Sequence, residues 1–378
     1  MKVQRIRLGP SYYHYLLIGD DHHPIDNVNK YLKYLSNIRK SPNTVHTYCT
    51  ALKFFYEFMA EYQLTIEDLK LYDLSNYIIW LSDYGDTSNM YYLEAKTGLR
   101  SAKTINLYIT VVSNYLRFLY QSDIIAVDTD EVLYQVVSNS KNPYKDFLFH
   151  ISKEKLMYRR ILKLKEPKKE NKRLSPKEIE KIAAATTNIR DELLIRLLST
   201  TGLRIGEALG INHSDLFRAQ NGEYKLLVMD RDRNINQSRS KSGKREVFIS
   251  QDLMDLYDDY CYFLELKQGY ISDYVFVKLK GENAGKPMDS SNVNHLFKVL
   301  KKKTGINVHP HLFRSTYGSV SYEITKDIEY VRETLGHKQI QTTIESYVFP
   351  SEEEMLNNWK SVQEKSGGIR NAGSNSNT

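Results

Sequence analysis

The apolar positions of the chain change period along its length, and the change divides it. From residue 24 onward the spacing is helical: Val45, Tyr48, Leu52, Phe55 and Met59 recur at three- and four-residue steps and form one apolar stripe. Ser41-Pro42 just ahead reads as an N-cap followed by proline at the first helical position. A second helix opens near Ser101 and runs through Ile105, Tyr108, Val112, Leu116 and Leu119, and residues 73–82 and 90–95 predict two more. Ahead of these, residues 3–8 and 13–18 read as two extended stretches around Gly9-Pro10-Ser11, a hairpin too small to be a domain of its own.

After Ser175-Pro176, which caps another helix, the pattern becomes mixed. Residues 193–198 predict a strongly apolar helix ending at Gly202, and residues 224–229, 245–249 and 274–279 predict strands. Helical spacing returns at 291–303, 311–322, 328–335 and 352–362. The expected fold class is mainly α with a small antiparallel β-sheet: an all-helical domain followed by a mixed α+β domain. The expected boundaries are a short N-terminal segment at 1–24, a helical domain at 25–140, a basic linker at 141–173, the mixed domain at 174–362 and a disordered tail at 363–378.

Charge sharpens this division. The net charge is +7, yet residues 141–173 alone hold twelve Lys/Arg against four Asp/Glu. A charge excess confined to one stretch points to a polyanion lying against it, although a solvated linker has the same composition. Lys141, Lys145, Arg159, Arg160, Lys168, Lys169, Lys172 and Arg173 are the candidate contacts there. No stretch has about 18 uninterrupted apolar residues, so no membrane span is expected. The first seven residues lack the apolar block of a signal peptide. The two cysteines, Cys49 and Cys261, each have aromatic neighbours and read as buried free thiols, which fits a reducing cytoplasm.

Four segments of the second domain carry candidate chemistry. In Thr201-Gly202-Leu203-Arg204-Ile205-Gly206-Glu207-Ala208-Leu209, an arginine just after a helix-ending glycine stands where backbone amides favour an anion, and Glu207 can orient it. Taken alone, the two also read as a helix-surface ion pair. Residues 231–245 hold six Lys/Arg against Asp232, with Arg239, Lys241, Lys244 and Arg245 in a turn between two strands, a weak motif suited to phosphate contact. In His309-Pro310-His311-Leu312-Phe313-Arg314, His311 and Arg314 project from one helical face. Leu335-Gly336-His337 is followed ten residues later by Tyr347, and a lone tyrosine among apolar neighbours is usually a packing residue. His309, His311 and His337 have no Cys or carboxylate beside them to complete a metal ligand set, so no metal is expected.

In order, Arg, Lys, His-x-x-Arg, Gly-His and Tyr resemble the catalytic signature of the tyrosine recombinases, the phage-integrase family. The segments TGLRIGEAL, HLFRSTYGS and LGHKQIQTT are similar to its motif boxes. Ser41-Pro42-Asn43-Thr44 with Tyr48 resembles the opening of its SAM-like core-binding domain, and residues 172–178 the start of its catalytic domain. The likeness covers residues 25–360 and is strongest to transposon-borne members. It implies cleavage and rejoining of DNA through a 3′-phosphotyrosyl link to Tyr347, with no cofactor. Arg204 and Arg314 would clamp the phosphate, Lys241 protonate the leaving oxygen, His311 act as acid/base, His337 donate to the phosphate and Glu207 support Arg204.

The resemblance also implies two domains closing on double-stranded DNA at core-type sites, and a homotetramer on two sites, with element-encoded accessory proteins as further partners. One departure is that Tyr347 stands one residue further from His337 than in many members, which is expected to alter its delivery only. The alternatives carried forward are a type IB topoisomerase-like enzyme or resolvase with the same site, and a catalytically silent DNA-binding protein.

Overall fold

The computed structural model describes residues 1–7, 13–83, 100–126, 134–137, 157–160, 162–167, 172–229, 231, 236, 243–269, 272–347, 356, 359–361 and 364. The chain divides into two compact units, Met1–Lys168 and Lys169–Thr378.

In the first unit, strands β1 (Lys2–Arg7) and β2 (Tyr13–Ile18) pair antiparallel, with Lys2 opposite Ile18 and Arg7 opposite Tyr13. Alternation along β2 turns Tyr15 and Leu17 inward. Asn29 fixes the hairpin to the next helix, accepting from the Leu17 amide at 3.0 Å and donating to the Leu17 carbonyl at 3.2 Å.

Helices α1 (Asp26–Asn37), α2 (Pro42–Glu61), α3 (Leu71–Asp83) and α4 (Ala102–Gln121) follow. The N-cap expectations hold here: the Ser41 and Ser101 side chains accept from the Thr44 and Thr104 amides at 3.2 and 3.3 Å. The α2 stripe faces the core through Val45, Leu52, Phe55 and Met59, and Phe58, Tyr77 and Tyr115 complete it. Many of the chain's tyrosines are core residues with a polar handle, as where the Tyr56 and Tyr115 hydroxyls meet at 2.6 Å. The helix expected at 90–95 lies outside the described residues.

The stretch expected to be a linker contains regular structure. Strand β4 (Met157–Arg160) pairs antiparallel with β3 (Tyr134–Val137). Beyond it, Asn106 of α4 holds the Leu164 backbone, accepting from its amide at 2.9 Å and donating to its carbonyl at 3.0 Å. Charge density masked this order, because the ties engage the backbone of the stretch, which side-chain composition does not report.

The second unit opens with α5 (Pro176–Ala184), started by a capping box between Ser175 and Glu178. Its core helix is α6 (Ile189–Thr201), which buries Leu193, Leu194, Ile195, Leu197 and Leu198 and ends on Gly202 at φ +62°. A short helix α7 (Ile205–Ala208) leads to an antiparallel sheet of β5 (Leu216–Arg218), β6 (Tyr224–Val228) and β7 (Arg245–Ile249), with β6 in the middle.

The third strand therefore differs from the one expected at 274–279. Val275, Phe276 and Val277 are buried in succession, and their surroundings bond to separate loops: Val275 to the Ile211 carbonyl at 3.0 Å, and Met288 to the Phe276 carbonyl at 2.9 Å. An apolar run of that length is ambiguous, whereas β5 is three residues long and too short to show alternation. Helices α8 (Gln251–Phe263), α9 (Ser290–Thr304), α10 (Pro310–Thr325), α11 (Ile328–Leu335) and α12 (Ile340–Tyr347) complete the unit. The helix expected at 352–362 lies largely, and the tail wholly, outside the described residues apart from Glu364. Cys49 is buried, but Cys261 is only partly so. Among the described residues no helix is long and apolar enough to cross a membrane.

The capping box yields a direct test. Ser175→Ala removes the oxygen that accepts from the Glu178 amide at 3.3 Å. Urea denaturation of the variant should show a loss of about 1 kcal/mol.

Candidate active site

The site is built on helix ends. Gly202 terminates α6 in the left-handed conformation, and a Cβ there would lie 2.6 Å from the Tyr317 ring, so glycine is required on both counts. Arg204 is the N-cap of α7, and Glu207 reaches back to accept from its amide at 3.0 Å. The same carboxylate accepts from Arg204 Nη1 at 3.0 Å, and from Arg245 Nη1 and Nη2 at 3.2 and 2.9 Å. Each Glu207 oxygen thus has two donors, and the side chain is fully buried. Burial pushes its pKa upward, but the Arg245 hydrogen bonds and charge, followed by those of Arg204, hold it at about 2.

Arg314 lies in the buried face of α10. Its Nη1 donates to the Gly202 carbonyl and its Nη2 to the Leu335 carbonyl, both at 2.8 Å. These carbonyls stand at the C-terminal ends of α6 and α11, where helix geometry leaves acceptors without an internal partner. Burial and the charge of Arg204 bring the guanidinium down to about 10, so it remains charged at neutral pH.

Gly336 ends α11 at φ +66° and turns the chain so that His337 points inward, its Nδ1 2.9 Å from the Thr343 hydroxyl. Burial, then Arg314, Arg204 and Arg245, depress the imidazole to about 4, so it is neutral at pH 7. Tyr347, the last residue of α12, stacks on it with ring centroids 5.8 Å apart and planes 7° from parallel. The phenol is 2% exposed; burial raises its pKa, against the charge and hydrogen bond of Arg314. The ring has room because residue 318 is glycine: a Cβ there would lie 2.9 Å from Tyr347 Cε1.

The structure therefore gathers Arg204, Glu207, Arg314, His337 and Tyr347 into one cluster. His311 lies elsewhere in character, exposed in the first turn of α10 with its ring stacked beside His309 at 6.5 Å. Lys241 and Arg239 fall outside the described residues, as do Lys141, Lys145, Lys168 and Lys169; Arg159 and Arg160 are on β4.

Of the other expected phosphate contacts, Lys172 and Lys244 are exposed, whereas Arg173 is ion-paired with Glu323. Arg245 is a correction. Instead of facing outward from the turn it is turned into the protein by Glu207, as Arg231 is by Asp215. Buried carboxylates draw in the nearest arginines, and sequence alone cannot assign those pairs. Two residues lay inside the quoted motif segments without being singled out: Thr343, and Gly318, whose position inside a helix was a signal. Among the described residues, no group of three His, Cys, Asp or Glu could hold a metal ion.

The family model described as "Phage integrase family" matches residues 172–354, and "Phage integrase, N-terminal SAM-like domain" matches residues 28–123. Transposase A from transposon Tn554 of Staphylococcus aureus is 34% identical over 367 residues, which is 97% of this chain and 99% of that protein. Tyrosine recombinase XerC of Bacillus subtilis is 24% identical over 74% of this chain and 80% of its own. Among solved structures, a Tn1549 transposon integrase in complex with circular intermediate DNA superposes with a TM-score of 0.58 at 17% identity, covering 88% of this chain and 98% of that one. A lambda integrase dimer bound to a core site gives a TM-score of 0.55 at 16% identity, covering 84% and 93%. The chain belongs to the phage integrase family of tyrosine recombinases, among its transposon-associated members. It is a site-specific recombinase of a mobile element.

The depressed imidazole has a thermodynamic consequence. The His337 pKa of about 4 lies below its ordinary 6.5, so in acid the unfolded chain takes up the proton first. Its contribution is unchanged above pH 6.5 and becomes progressively destabilising as pH falls from there to about 4. Across that window the melting temperature of a His337→Gln variant should fall less steeply than that of the parent; equal slopes would show that His337 carries no such linkage.

Proposed function

We propose that Tyr347 is the nucleophile of this recombinase and that the surrounding cluster binds the scissile phosphate of double-stranded DNA. The observation that carries this reading is convergence: residues from α7, α10, the end of α11 and α12 meet around one phenol, with more positive than negative charge in a place shielded from water. Such a site is complementary to an anion whose charge increases during reaction.

In the proposed reaction the Tyr347 hydroxyl attacks phosphorus, and its proton passes to His311, which stands outside the resting cluster and would have to reach the phenol when DNA is bound. The bond to the 5′-oxygen breaks, Lys241 supplies the proton for the departing 5′-hydroxyl, and a 3′-phosphotyrosyl ester remains. Arg204 and Arg314 hold the non-bridging oxygens through charged guanidinium donors. His337 donates from Nε2 if its Nδ1 accepts from the Thr343 hydroxyl, a tautomer the 2.9 Å contact permits. Religation to the 5′-hydroxyl of another strand reverses these steps and consumes neither ATP nor metal, because the ester conserves the bond energy. Burial keeps the resting phenol protonated, and Arg314 is the group that favours the phenolate.

The partner in this reading is DNA carrying core-type sites, supported by the DNA complexes among the solved relatives. Exchange needs four such active sites, hence a tetramer on two sites, with accessory proteins of the element as further partners. Lys172 and Lys244 are the exposed candidates for backbone contact, together with the cations of 141–169 and Arg239. Residues 352–362, where Leu356 and Trp359 are exposed, are the proposed link between protomers. Deleting 351–378 should abolish cooperative synapsis in a gel-shift assay while sparing weak single-site binding.

A nicked suicide duplex, which loses the 5′-hydroxyl after cleavage and so traps the enzyme, tests the nucleophile. The parent should accumulate a covalent adduct that persists in EDTA, and Tyr347→Phe should form none while remaining folded. An adduct with the phenylalanine variant would show the nucleophile to be another residue. Joint molecules from two marked duplexes separate recombination from supercoil relaxation alone.

A further inference from the structure

Arg245 occupies an unusual position for a cation next to a basic turn. Its side chain is only 10% exposed, and its donors point inward. Nη1 and Nη2 meet the two oxygens of Glu207 at 3.2 and 2.9 Å, and Nε donates to the Thr334 carbonyl at 3.0 Å. The residue after Thr334 is Leu335, whose carbonyl accepts from Arg314 at 2.8 Å and from Arg204 at 3.4 Å. Gly336 and His337 follow directly. One guanidinium of β7 therefore touches the carboxylate that orients Arg204 and the corner of chain that delivers His337.

We propose that Arg245 is a positioning residue for phosphate binding: it takes up the charge of Glu207 and ties that carboxylate to the end of α11, leaving the charge of Arg204 to act on the scissile phosphate. A Glu207 served by Arg204 alone would neutralise it and draw it inward, since a fully buried carboxylate must be paired. With Arg245 supplying a bidentate fork to Glu207, one Arg204 side-chain donor, Nη1, also meets the same carboxylate. The planar fork and the third bond from Nε span two elements in a fixed geometry, which a lysine cannot reproduce. The inference rests on the phosphate-clamp reading of Arg204 given above. It differs from the two other roles open to a cation here, direct DNA contact and simple fold stabilisation.

The test uses the full chain with Arg245→Lys, and covalent-adduct formation in single turnover on two nicked suicide duplexes. One carries an ordinary scissile phosphate; the other carries a methylphosphonate there, in which a methyl group replaces a non-bridging oxygen and the charge is gone. Arg245→Lys should slow cleavage of the phosphodiester about 100-fold. DNA affinity and its salt dependence should stay within about twofold of the parent, because no phosphate contact is lost. On the methylphosphonate, which asks less of the clamp, the deficit should shrink to below about tenfold. Arg204→Ala should show the same dependence on substrate.

Equal deficits of Arg245→Lys on both substrates would overturn the inference in favour of a structural role. Weakened binding with a shallower salt slope would overturn it in favour of DNA contact. If the lysine variant does not fold, Arg245→Gln is read in the same way. Should Arg204→Ala cleave the phosphodiester at the parental rate, the clamp reading fails and the inference falls with it, a result distinguishable because it appears in the Arg204 variant.

Discussion

The buried carboxylate of Glu207 is the constraint on which the catalytic unit is organised. A charge with no solvent access must be surrounded by donors, and here four come from two arginines on different elements. Meeting that demand fixes α7 against β7, and through the Arg245 bond to Thr334 it fixes both against the end of α11. Arg314 extends the same logic, joining the carbonyl ends of α6 and α11. Helix termini that would otherwise carry unpaired acceptors become the frame that aims the guanidinium groups. Structural satisfaction and the proposed anion binding thus fall to the same side chains.

This arrangement leaves an excess of positive charge in a poorly hydrated place, and its neighbours record that. His337 is held neutral by burial and by three arginines, while the Tyr347 phenol is driven toward its protonated form by burial and eased by Arg314. An entering phosphate would offset the arginines and so relax the constraint on His337. The ring of Tyr347 rests over Gly318 and against His337, inside a small apolar group with Val331 and Leu335. The Tyr347 phenol is therefore part of the packing of α10, α11 and α12, so its position depends on three helices at once.

Much of this was legible in the linear sequence, and particular residues show why. Ser41, Ser101 and Ser175 announce helix starts because a cap is a local interaction spanning three residues. Gly202 and Gly336 mark left-handed ends for the same reason. The recombinase family was readable because Arg204, His311, Arg314, His337 and Tyr347 stand in a recognisable order in the chain. The strand at 216–218 was not legible, being too short to display a period, and the run at 274–279 offered a period-free apolar signal that the fold uses as an extended core segment instead.

What the sequence by itself determined is most of the helices, the family and the identity of the site's charged groups, all of which depend on neighbours a few positions apart or on order along the chain. Tertiary structure alone decided the long-range pairing among them. Arg245 reads as one more cation in a basic turn until Glu207, 38 positions away, is seen to bury its charge against it. Tyr347 is singled out among 29 tyrosines by the motif order, but its stacking on His337 over a glycine of another helix is seen only in the fold. The physical reason is common to both: desolvation acts on groups brought together in space, and it selects partners by distance after folding, whatever their separation in the chain.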